Sequence, residues 1–137
     1  MFGNMNNATA KLRWSENHPT VDVAADQLAR CVESVAAKCK EAGLPFIVDV
    51  TVHGYEMLLG VGLPESFVHI ESESGEEPYF ITVGDPTAQG SVSFHMHGTH
   101  PTEIPRRNLI STPEAVRVAR DFLERGQRST AVEWEEV

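Results

Sequence analysis

Short alternating segments and two longer helical stripes divide the chain. Ala8 to Trp14 places Ala10, Leu12 and Trp14 on one side and Lys11 and Arg13 on the other, the two-residue period of a half-buried strand. After His18-Pro19, Leu28, Cys31, Val32, Val35, Ala36 and Cys39 recur at three- and four-residue spacing, which predicts a helix opening from an Asp22 cap and closing at Gly43 and Pro45. Five strands are predicted next, over Phe46–His53, Glu56–Leu63, Phe67–Ser72, Tyr79–Val83 and Ser91–His97, separated by Gly54, Pro64, Ser74-Gly75 with Pro78, Gly84-Asp85-Pro86 and Gly90. Links this short make consecutive strands antiparallel neighbours. Val48, Val50 and Val52 oppose Ile47, Asp49 and Thr51, and Val92, Phe94 and Met96 oppose Ser93, His95 and His97, so one sheet face is apolar and the other at least partly wet.

Ser111-Thr112-Pro113-Glu114 opens a second helix with a Ser-x-x-Glu capping pattern and a first-turn proline. Ala115, Val118, Ala119, Phe122 and Leu123 form its apolar stripe, and Gly126 is placed to end it. Ala131 to Glu135 alternates again as a closing strand. The expected fold is a single α+β domain over residues 1–137, with Met1 to Asn7 outside the packed part: a two-layer sandwich of mostly antiparallel sheet with both helices on the greasy face.

Composition adds a partner to this picture. Glu41 to Pro105 contains ten Asp or Glu and no Lys or Arg, whereas the whole chain of 137 residues has net charge -9. So concentrated a field repels nucleic acid and anionic lipid and attracts something basic. Met1 to Asn7 lacks the basic start and apolar run of a signal peptide, and no stretch reaches membrane-spanning length, so a soluble cytoplasmic protein is expected. Cys31 and Cys39 sit eight residues apart on one helix, ~12 Å at helical rise, too far to bridge, and read as core thiols.

Candidate chemistry is sparse. His95, His97 and His100 could form an open three-histidine metal site, the basis of an alternative reading as a small metal-dependent enzyme. No nucleophile elbow, phosphate loop or dinucleotide fingerprint is present, and Gly60 and Gly62 read as packing glycines. Glu71, Glu73, Glu76 and Glu77 cluster on a Ser/Gly-rich turn where water keeps carboxylates ordinary, which suits an acidic docking lip better than general acid catalysis. Tyr79 beside them is a suitable aromatic anchor. Trp14 and Trp134 read as core residues.

The tail carries a resemblance. Thr102-Glu103-Ile104-Pro105, Leu109-Ile110-Ser111 into Pro113-Glu114-Ala115, Phe122 to Arg128, and Val132-Glu133-Trp134-Glu135-Glu136-Val137 resemble the C-terminal half of the first-numbered immunity-protein family of bacterial polymorphic toxin systems. Gly84-Asp85 after a strand, and a first helix followed by hairpins, resemble that family's order of elements over roughly Val21 to Val137. The resemblance implies an α+β protein without catalytic activity that binds a cognate secreted toxin, often a nucleic-acid deaminase, and blocks its active site; no cofactor and no bound metal are expected. It implies Pro105, Phe122, Gly126 and Trp134 as scaffold, and the histidine pair His95 and His97 departs from the aromatic residues expected there. Together these readings place the toxin contact on Glu71, Glu73, Glu76, Glu77, Tyr79 and Asp85, with His97 as an outlier from the wet face.

Overall fold

The computed structural model describes residues 9–97 and 99–137; Met1 to Asn7, Ala8, with which the first predicted segment opens, and Gly98 of the histidine motif lie outside the described residues. The strands are β1 (Thr9–Arg13), β2 (Val21–Ala24), β3 (Phe46–Val52), β4 (Tyr55–Val61), β5 (Glu65–Ser66), β6 (Val68–Ser72), β7 (Phe80–Val83), β8 (Ser91–Met96), β9 (His100–Pro105), β10 (Ile110–Ser111) and β11 (Glu133–Glu136). The helices are α1 (Leu28–Ala42) and α2 (Thr112–Arg125). The main sheet runs β11-β7-β6-β4-β3-β1-β2, and β8 pairs with both β3 and β9. It is the α+β architecture expected from the periodicities, with the helices on one face.

That face is built from the branched side of each strand. Val48, Val50, Met57, Leu59, Val68 and Ile70 pack beneath Leu28, Val32, Val35 and Cys39 of α1 and Ala115, Val118, Ala119, Phe122 and Leu123 of α2. Each large side chain buried there contributes about 1.5–3 kcal/mol. The Ser111 hydroxyl accepts the Glu114 N–H at 3.3 Å to cap α2. Gly126, at φ 69°, ends the helix in the left-handed conformation that a glycine adopts without strain. Both cysteines are free, and the Cys39 thiol donates to the Val61 carbonyl at 3.4 Å.

Three expectations change. Asp22 does not cap α1; it lies in β2, opposite Lys11, whose ammonium reaches its carboxylate at 2.7 Å, and the helix starts after a 3-10 turn at Ala25–Gln27. Strand β9 is unexpected because Pro101 and Pro105 argue against a strand, yet among the described residues β9 pairs only with β8, and an edge strand tolerates missing N–H donors. Finally, β8 does not lie antiparallel beside β7. It runs parallel to β3, with Phe46 opposite His95 and Ile47 opposite Met96. The whole β4 to β7 segment separates these two partners, so the short-link rule does not constrain them.

Consequently Phe94 belongs not to the helix-side core but to a second, smaller one. Ile47, Phe67, Ile81, Phe94, Ile104 and Leu109 close over the opposite sheet face, with Val92 and Met96 at their margin. Phe67 and Phe94 meet edge to face at 5.3 Å. Gly60 makes this possible, since a Cβ there would stand 2.7 Å from the Phe94 ring. A buried polar knot ties the next segment down: the Thr82 hydroxyl donates to the Asn108 carbonyl, and Asn108 Nδ2 donates to the Thr82 carbonyl and to Glu135, at 3.0, 3.0 and 2.7 Å.

Gly60→Ala should therefore destabilise the fold by about 2 kcal/mol through overpacking of two buried rings. Urea unfolding measures it, and an unchanged midpoint would show that the second core yields freely.

Candidate functional site

The hairpin of β8 and β9 covers only part of the face away from the helices. Cross-strand register lines up the remainder: Arg13, Asp49, Leu58 and His69 form one row, and Lys11, Thr51, Glu56 and Glu71 the next. Asp49 Oδ1 and His69 Nδ1 are buried there and find no hydrogen-bond partner among the described residues. Burial, reinforced by Glu56 and Glu71 and opposed by Arg13, pushes the Asp49 carboxyl up to about 6. Burial likewise lowers the His69 imidazole below its ordinary value, against the pull of Glu56. His69 Nδ1 stands 4.0 Å from the Glu71 carboxylate, and its ring lies 6.2 Å from that of Tyr79.

At one end of this face the Ser72 to Tyr79 segment carries Glu73, Glu76 and Glu77, all exposed. The Glu73 N–H donates to the Gly54 carbonyl at 2.9 Å, and the Tyr79 hydroxyl donates to the Gly75 carbonyl, so the loop folds back on the sheet end and on itself. Glu71, Glu73, Glu76, Glu77 and Tyr79 are thus brought together. Asp85 and His97 are not. Asp85 follows β7 at its other end, beyond a four-residue strand of ~13 Å, where its carboxylate accepts the Thr87 N–H and hydroxyl at 2.9 and 2.7 Å. Those bonds hold it below the usual aspartate range, beside a separate cleft lined by Glu65, Glu114 and Glu133.

His97 sits where β1 and β8 meet end to end along β3. Arg13 Nη2 lies 3.0 Å from its Nε2 and 3.3 Å from its Nδ1. His97 also has a left-handed backbone, φ 54°, and does not continue the β8 strand on which the i, i+2 metal spacing with His95 was based. Among the described residues no group of three His, Cys, Asp or Glu is arranged to hold a metal ion.

Behind the acidic loop, on the helix side, lies a cleft of about 420 Å³ between β4, β6, the loop and the C-terminal end of α2. Tyr55, Ile70, Phe80 and Phe122 supply its apolar lining, and Glu76, Glu77 and Arg128 are among its polar residues. Tyr55 is 40% exposed, with its ring edge-on to Phe122 at 5.5 Å. Sequence reasoning selected Tyr79 and overlooked Phe80, although strand alternation puts these two on opposite faces. It also overlooked Asp49, whose polar-side position was legible but whose neighbours Glu56 and Glu71 come from register.

The family comparison decides the class. The model of the family described as Immunity protein Imm1 matches residues 16–136. The chain belongs to the Imm1 immunity protein family. Its membership makes this an immunity protein, one that binds a cognate toxin. No curated protein matches the chain. Phe122 is buried on the sheet-facing side of α2, and the half-buried Trp134 donates its ring N–H to the Ser129 carbonyl at 2.9 Å. No helix among the described residues is long and apolar enough to cross a membrane.

The Asp49 environment generates a pH prediction. A carboxyl whose folded pKa lies near 6, above its ordinary 3.8, binds its proton more tightly when folded, so its stabilisation is full below the ordinary value and lost as pH rises through 6. Asp49→Asn should therefore raise stability by about 1 kcal/mol at pH 7.5, after allowance for solvent screening, and leave it unchanged at pH 3.5. Paired urea unfolding curves read this difference; equal effects at both pH values would contradict it.

Proposed function

We propose that this immunity protein neutralises a nucleic-acid-targeting toxin of the deaminase type, in the cytoplasm, by covering its active site or substrate groove. It does so as a binder and not as a catalyst. The observation that carries the reading is the exposed acidic loop, Glu73, Glu76 and Glu77, held at the sheet end with Glu71 and Tyr79 beside it in a family of toxin inhibitors. An enzyme acting on DNA or RNA bases needs a basic groove for phosphates and a pocket for the extruded base. Carboxylates presented on a folded loop compete for that groove and accelerate encounter through long-range attraction. Glu71, Glu73, Glu76, Glu77 and Tyr79 form the centre of the proposed contact, and Asp85 and His97 contribute only if the interface extends around the sheet. A complex of standard size buries about 1,600 Å² in total, enough to include one of these outliers.

Changing Glu73, Glu76 and Glu77 together to Lys should slow association with the toxin encoded beside this protein by about tenfold and flatten its salt dependence. Stopped-flow association and co-expression survival measure it. Unchanged rates and protection would remove the loop from the interface, and a neighbouring product harmless when expressed alone would remove the toxin reading itself.

A further inference from the structure

The cleft beside α2 is built to take a cation with a flat apolar face. Its lining is aromatic: Phe80 and Tyr55, with Phe122 beneath. Its surroundings are acidic. Glu76 and Glu77 line the cleft, Glu77 also lines an adjoining one with Glu136, and β7–β11 register sets Glu136 directly opposite Phe80. The C-terminal end of α2 abuts the cleft at Phe122, Gly126 and Gln127, and the partial negative charge of a helix C-terminus favours cations there.

One cation already occupies this setting. The Arg128 guanidinium carbon lies 3.6 Å from the centroid of the Phe80 ring and 5.9 Å from that of Trp134. Stacking on an aromatic face is the guanidinium geometry that an ammonium does not reproduce. Arg128 makes no ion pair within 4.0 Å among the described residues, so its contact with Phe80 is not the by-product of a carboxylate pair. It comes from the segment just after the α2 cap, and its side chain is exposed to solvent.

We propose that this cleft is the receptor for an arginine side chain of the toxin, and that Arg128 holds the place over Phe80 until the partner's arginine displaces it. The proposal rests on the immunity reading and names the residue chemistry that the acidic end recognises. A basic nucleic-acid-binding groove supplies arginines suited to phosphates, and the flat guanidinium is matched by Phe80 below and Glu76, Glu77 and Glu136 around it. Displacement of Arg128 leaves the number of stacked guanidinium groups unchanged, so the gain comes from the second positive charge that the partner brings to the acid rim while Arg128 turns to water beside it.

The test uses N-acetyl-arginine amide and N-acetyl-lysine amide as probes of the intact protein, followed by aromatic-ring NMR. Arginine amide should shift the Tyr55 and Phe80 rings saturably, with affinity several-fold above that of lysine amide. Arg128→Ala should tighten it by roughly fivefold, and Phe80→Leu, which keeps apolar volume but removes the ring face, should weaken it by a similar factor. Glu76→Gln with Glu77→Gln, both exposed, guards against loss of folding and should also weaken it. Equal response to both amides, shifts centred on Asp85 and Thr87, or weaker binding in Arg128→Ala would overturn the proposal. Co-expression with the toxin separates the two readings. If wild type protects and Phe80→Leu with Glu76→Gln and Glu77→Gln protects equally well, the cleft inference fails while immunity stands. If wild type gives no protection, the immunity reading fails first.

Discussion

Strand β3 cannot give its outer edge to one partner, and that constraint shapes the molecule. Its inner edge pairs with β4 along its whole length, from Phe46 opposite Val61 to Val52 opposite Tyr55. Its outer edge is divided: β1 takes Asp49 to Thr51 and β8 takes Phe46 and Ile47. The two strands run towards each other and meet where the Arg13 guanidinium reaches the His97 ring nitrogens. Because β8 holds β3 by so short a ladder, the β8–β9 hairpin is free to lean over the sheet, and Phe94 drops onto Phe67 above the vacancy left by Gly60. One face thus carries helices and the other a partial second core. What the hairpin does not cover is the row of charged residues from Arg13 to His69, with the acidic loop at its end.

Electrostatics then follow from topology. Asp49, Glu56 and Glu71 come from three different strands and are neighbours only because β3, β4 and β6 pair in this register. Burial, with repulsion from Glu56 and Glu71 added to it, raises the Asp49 carboxyl above the ordinary aspartate range. Glu73, Glu76 and Glu77 remain exposed, where water screens their mutual repulsion and keeps its cost to the fold small.

Much of this was legible in the chain. Period-two alternation marked β1, β3, β4, β6, β7, β8 and β11, and the stripe from Ala115 to Leu123 with its Ser111 cap marked α2. Local patterns failed where a residue's role is set by a distant partner. Asp22 has the chemistry of a helix cap, and only the pairing of Val23 with Ala10 draws it into β2. Pro101 and Pro105 argue against a strand unless the strand is known to be an edge. The alternation of β8 was read correctly, but its apolar side belongs to the face opposite the helices. The candidate contacts fared the same way: adjacent residues of the acidic loop stayed together, whereas Asp85 and His97, chosen by residue type, lie elsewhere. Tyr79 is the aromatic residue next to the acidic turn, and Phe80 goes unnoticed because sequence shows the faces of a strand without showing which one opens into a cleft.

The central claim is that the toxin is met by the acidic end of the sheet and the cleft behind it. Hydrogen–deuterium exchange of the chain, alone and saturated with an inactivated toxin domain, tests this most directly. The account predicts new protection over Ile70 to Phe80 and Phe122 to Arg128, with exchange in the Gly84 to Gly90 segment unchanged. Protection centred on Gly84 to Gly90 or on the β8–β9 hairpin, with the acidic loop exchanging as in the free protein, would contradict it.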